Sequence, residues 1–155
     1  MPTQGVGAMS EQEVIEFIKN SRVGVLALVD DGKPYGVPVE HYLKGKRLYI
    51  MVSAKEGQRK IECIKKNPNA CFVIYESRRE KPEIVKKGIR CRSVIIEGKV
   101  KLDGVKELPT KDGGTAKVQR LRMDIENIGN WYCPRKSCDW QLAWFERYPS
   151  LLADV

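Results

Sequence analysis

Histidine is almost missing from this chain. His41 is the only one, in a sequence of 155 residues. The five cysteines contain no CxxC pair, and the nearest two, Cys133 and Cys138 in CPRKSC, are spaced more widely than in a zinc knuckle. A metal centre therefore has almost no ligand set to draw on, and a disulfide or two free thiols suits this pair better. Cys63, Cys71 and Cys91 sit singly within expected elements and read as small buried hydrophobes. No stretch approaches the roughly 20 apolar residues of a helical membrane span. Met1 to Met9 is polar and Gly-rich and has no apolar signal-peptide core, so the expectation is a flexible start and a cytoplasmic protein. Aromatic residues make up only 8%, and Lys and Arg are scattered along the chain. Both features argue against the stacking groove of a single-strand nucleic-acid binder. No repeat, low-complexity tract or linker divides residues 10–155, which read as one domain.

What is present is positive charge. The formal net charge is +8, and the sequence pI is about 9.3. A balance of that size suggests an anionic partner: a nucleic acid, a phosphorylated cofactor or an acidic substrate.

The most informative stretch runs from Tyr35 to Asn67. Tyr35, Val37, Val39 and His41 alternate with Gly36, Pro38, Glu40 and Tyr42, which is the period of a strand. Pro38 cannot donate to a ladder and marks an edge or a bulge. Lys44-Gly45-Lys46 signals a turn, and Arg47 to Val52 is rich in β-branched and aromatic residues. Ser53 and Glu56 have capping-box spacing, which predicts a helix opening at Ser53. Its unpaired N–H groups and positive dipole end would favour an anion, with Arg59 and Lys60 adding charge. The same residues also suit a plain strand-turn-strand-helix unit with solvated cations.

Around this unit, Ser10 and Glu13 form a second capping-box pattern, opening an amphipathic helix to about Asn20. Arg22 to Val29 is apolar on both faces and reads as a strand covered on both sides. Asp30-Asp31-Gly32-Lys33 is a hairpin turn. The central helix should stop at Asn67-Pro68. Strands are expected over Ala70 to Tyr75 and Arg90 to Leu102, the latter bent or bulged at Gly98, with a charged loop between them. Residues 103–115 read as loop, Ala116 to Ile128 as helix from Val118, Leu121 and Ile125, and Asp139 to Arg147 as a last strand or a short helix, with the alternation of Trp140, Leu142 and Trp144 favouring the strand. Six strands joined mostly by hairpins, with three helices, predict a mainly β fold: an antiparallel barrel with peripheral helices.

Taken together, the elements VGVLAL, PYGVPV, LYI, GQRK, KNPNACF and RSVIIEGK, in this order over roughly residues 10–103, resemble the FMN-binding split barrels related to pyridoxamine 5′-phosphate oxidase. The resemblance implies a six-stranded antiparallel split barrel, a homodimer, and FMN in a groove between the two chains. It places Val37, Pro38, Val39 and Glu40 along the isoalloxazine or ribityl chain, with Ile50 and Met51 on the next strand. It assigns the phosphate to Ser53, Ala54, Arg59 and Lys60, and further contacts to Arg92 and Ser93. Trp140 echoes a tryptophan that reaches the flavin near the end of the oxidases. The arginine-rich C-terminal motif that holds the vitamin substrate is not evident. Nor is the histidine of the nitroimidazole-reducing branch, whose region here is Ile50-Met51-Val52. The expectation is an FMN-dependent oxidoreductase of unassigned substrate, with no metal and no protein nucleophile. A deazaflavin- or haem-binding barrel and a non-catalytic flavin carrier are the alternatives.

Overall fold

The computed structural model describes residues 8–134 and 144–155. Helix α1 (Glu11–Asn20) begins as expected, with the Ser10 hydroxyl accepting from the Glu13 N–H at 3.2 Å. Strands β1 (Val23–Asp30) and β2 (Lys33–Lys44) are joined by a two-residue turn. Asp31 and Gly32 both have positive φ there, 51° and 77°, the signature of a type I′ hairpin. Strand β3 (Arg47–Ser53) follows at once, then α2 (Arg59–Lys66), which stops before Pro68. Strand β4 (Asn69–Glu76), a four-residue helix α3 (Glu83–Lys86), β5 (Arg92–Pro109) and β6 (Thr115–Tyr132) complete the sheet. Helix α4 (Trp144–Arg147) and a 3₁₀ turn end the chain.

All six strands form one closed antiparallel barrel in the order β1-β2-β3-β6-β5-β4. Alternate residues fill it: Leu26, Leu48, Ile50, Phe72, Val94, Ile96, Leu121 and Met123 are essentially inaccessible. Val14, Phe17 and Ile18 of α1 and Ile61, Cys63 and Ile64 of α2 extend this core. Residues 33–40 of β2 pair with β1, whereas only 41–44 pair with β3. The barrel is therefore split between β2 and β3, and Pro38 stands on the edge so created. Gly98 is a bulge, as expected: the register between β5 and β6 shifts at Glu97/Gly98, and a Cβ on Gly98 would collide with the Asp124 carbonyl.

Several expectations are corrected. No helix covers Ala116 to Ile128. Gln119, Leu121 and Met123 alternate inward along β6, whereas Val118 pairs with Ser53 on the outer face. The 3–4 spacing of Val118, Leu121 and Ile125 joined residues from two faces of a strand. Residues 103–109, expected as loop, continue β5. The sixth strand is thus Thr115–Tyr132. Trp144–Arg147 is helical rather than part of a last strand, and the remainder of that stretch, with Trp140 and Cys138, lies outside the described residues. Met9, expected within the flexible start, is buried, its N–H donating to Asn130 Oδ1 at 2.7 Å. Finally, β1 is not covered on both sides within one chain: Val23 and Val25 are exposed.

Candidate functional site

The helix start expected to receive an anion exists, but it is not built by the expected cap. Ser53 does not cap a helix, because it is the last residue of β3 and is held in the ladder opposite Val118. The chain then has no regular structure for five residues and turns at Gly57, whose φ of 76° suits glycine. Helix α2 starts only at Arg59, with Gln58 as N-cap and no side-chain cap bond. The first helical bond is Glu62 N–H to Gln58 O at 3.1 Å. The N–H groups of Arg59, Lys60 and Ile61 therefore have no acceptor among the described residues. Gln58 Oε1 is also buried without a donor among the described residues. This one loop holds unused donors and an unused acceptor, at the positive end of a helix whose first two side chains are cations.

Arg59 is ordered. Its Nε donates to Asp30 Oδ2 at 2.7 Å, and its guanidinium carbon lies 3.9 Å from the centre of the Tyr35 ring. The hydrogen bond that Arg59 donates to Asp30 raises the Arg59 pKa above its ordinary value. Sequence reasoning missed Asp30 and Tyr35 as its partners. The available signal was an acid closing a hairpin, with an aromatic five residues further on.

The other candidates divide by the strand's alternation. Val37, Val39 and Ile50 point toward the core, and Ile50 is fully buried, so they can meet a ligand only through backbone. Pro38, Glu40, Met51 and Ser53 lie on the outer face. The Ala54 N–H is engaged by Lys117 O at 3.1 Å and is not open to a phosphate. Arg92 and Ser93 begin β5, away from this loop in the barrel register. Arg92 Nε is bound to Glu76 Oε2 at 2.8 Å, and the guanidinium covers Phe17 at 4.3 Å.

An exposed apolar stripe crosses the outer surface. Val25 stands opposite Pro38 on one side and Val73 on the other, and Val73 opposite Ile95. Tyr75, Ser93 and Trp131 form the adjoining row. Val25, Tyr75, Ile95 and Trp131 are each at least 42% exposed.

The fold is a six-stranded split barrel, and the start of α2 carries N–H groups without acceptors among the described residues. Residues 10–107 match the family model of pyridoxamine 5′-phosphate oxidase, and the chain belongs to that family. No curated protein matches it. Among solved structures, a conserved hypothetical protein from Mycobacterium tuberculosis is similar at 19% identity and a TM-score of 0.61, covering 86% of this chain and 91% of that one. An FAD-binding protein from Mesorhizobium loti is similar at 22% identity and a TM-score of 0.54, over 79% and 94%. A putative 5-nitroimidazole antibiotic resistance protein from Bacteroides thetaiotaomicron is similar at 14% identity and a TM-score of 0.58, over 82% and 88%. At these identities the likeness is one of fold.

Proposed function

We propose that the chain is an FMN-binding flavoprotein oxidoreductase that works on a small molecule as a homodimer. The observation that carries this reading is the start of α2. Three N–H groups without acceptors among the described residues, and two cations, open the helix after β3, inside the matched region. Those groups suit a terminal phosphate, and the buried Gln58 acceptor suits a hydroxyl donor such as a ribityl chain carries. Arg59 and Lys60 would hold the phosphate, while the backbone of Val37 to Glu40 and the outer face at Met51 would flank the rest. When bound, the flavin supplies hydride or single-electron chemistry, and the chain supplies binding, orientation and the exclusion of water. The FAD-binding description of the Mesorhizobium loti protein keeps FAD as a second ligand to test, since its first phosphate could use the same terminus.

The apolar stripe supports the dimer. It is contiguous across four strands and directly adjoins Pro38, and Ser93 lies within it. A second copy of the chain is the occupant that the family resemblance implies. Light scattering on the purified protein should give twice the chain mass, and Val25→Asp with Ile95→Asp should reduce it to the single chain.

The decisive experiment is an absorption spectrum before and after addition of FMN, FAD or riboflavin, followed by gel filtration. Retained flavin bands are expected for the wild type. The Arg59→Ala/Lys60→Ala double variant should lose them while keeping its circular dichroism. Unchanged retention in that variant would overturn the phosphate site.

A further inference from the structure

We infer that Asp30 is a positioning residue for the anion site, holding Arg59 by its Nε so that both Nη groups stay available to a bound phosphate. The inference rests on the reading above, that α2 receives a flavin phosphate, and adds a residue outside the α2 loop.

The geometry separates positioning from competition. A carboxylate that merely occupies the phosphate's place would take the guanidinium by its two-pronged edge, as bidentate pairs do. Asp30 instead takes Arg59 by a single bond, from Nε to Oδ2 at 2.7 Å. Neither Nη of Arg59 has a hydrogen-bond partner among the described residues. The Tyr35 ring, 3.9 Å from the guanidinium carbon, fixes the plane. One contact therefore sets the rotation of the guanidinium within that plane, and the other sets the plane.

Asp30 is itself held in place. It pairs with Lys33 at the mouth of the type I′ turn, and Tyr35 follows on the returning strand, opposite Leu28. The hairpin thus delivers both contacts to Arg59 from one rigid unit. The Arg59 and Asp30 side chains are 58% and 36% exposed, and ion pairs so exposed contribute little to folding. Orientation is what remains for the pair to do. Fixing a flexible arginine before the ligand arrives removes part of the ordering penalty of binding.

The sign of one substitution tests this. Removing Asp30 makes the site more positive, so charge alone, or relief from competition, would tighten an anion. Positioning requires the opposite. FMN and riboflavin would be titrated into the flavin-free wild type and into Asp30→Ala, Asp30→Asn, Arg59→Ala and the Asp30→Ala/Arg59→Ala pair. Asp30→Ala should weaken FMN by about tenfold and leave riboflavin, which lacks the phosphate, unchanged. Asp30→Asn keeps an oxygen for Nε and should stay within about threefold of wild type. In the Arg59→Ala background the loss of Asp30 should have no further effect. Tighter or unchanged FMN binding by Asp30→Ala, or an equal loss for riboflavin, would overturn the inference. A wild type that prefers FMN no more than riboflavin would instead overturn the phosphate site itself, and this inference with it.

Discussion

Two arginines from the same family resemblance lie in opposite circumstances. Arg92 lies under α1: its side chain is 20% exposed, bound to a Glu76 side chain that is only 11% exposed, and laid over Phe17. Arg59 lies at the open start of α2, its side chain 58% exposed and bound through one nitrogen, with no hydrogen-bond partner for either Nη among the described residues. The first is consumed by the fold, whereas the second is held and left unfinished. A cation's place in a motif does not say which of these it is, because availability depends on acids that lie far along the chain. Glu76 is sixteen residues before Arg92, and Asp30 is twenty-nine before Arg59.

The contrast predicts a separation of effects. Arg92→Ala leaves Glu76 with Lys81, 3.4 Å away, as its one ion-pair partner among the described residues, and should destabilise the fold by about 2 kcal/mol, read from chemical denaturation. If flavin affinity falls while stability holds, the contrast breaks.

The region under α1 should also be the pH-sensitive one. His41 Nε2 donates to the Ile18 carbonyl at 3.0 Å, its ring meets Phe72 edge-on, and Nδ1 is buried without a partner among the described residues. Burial lowers the His41 pKa, and the Ile18 bond only partly offsets this. The unfolded chain therefore takes up the proton first. Stability should be fully present above the unfolded value of about 6.5 and decline below it, down to the lower folded value, by at most about 1.4 kcal/mol per pH unit. A His41→Gln variant should lose that slope in denaturation curves run between pH 7.5 and 5. The smallest expected change is in Arg59→Ala, whose denaturation midpoint should stay with the wild type. A clear drop would mean that the open site also supports the fold.

Much of the barrel can be read from its turns. The Asp31-Gly32 and Gly45-Lys46 turns, the Ser10 cap and the Gly98 bulge are local chemistry, and each appears where its residues place it. Strand β6 was not legible, because its inward face includes the polar Gln119, whose Nε2 bonds Gly104 O, and this disguised the period of two. The Ser53 cap failed for a related reason. Ladder pairing to Val118 holds Ser53 in the strand, and Gly57 delays the helix to Arg59. The two cations at α2 were legible from sequence, but Asp30 and Tyr35 were not, since only the folded hairpin brings them across to Arg59.

The slot in the barrel has one more consequence. Where β2 runs unpaired by β3, from Lys33 to Glu40, its backbone could in principle recruit a strand from any passing chain and seed aggregation. Pro38 withholds a donor there, and Lys33 and Glu40 put opposite charges at the two ends of the exposed stretch. An open strand edge is thereby guarded against peptides, and solubility at high concentration should depend on a residue that stabilises nothing in the core.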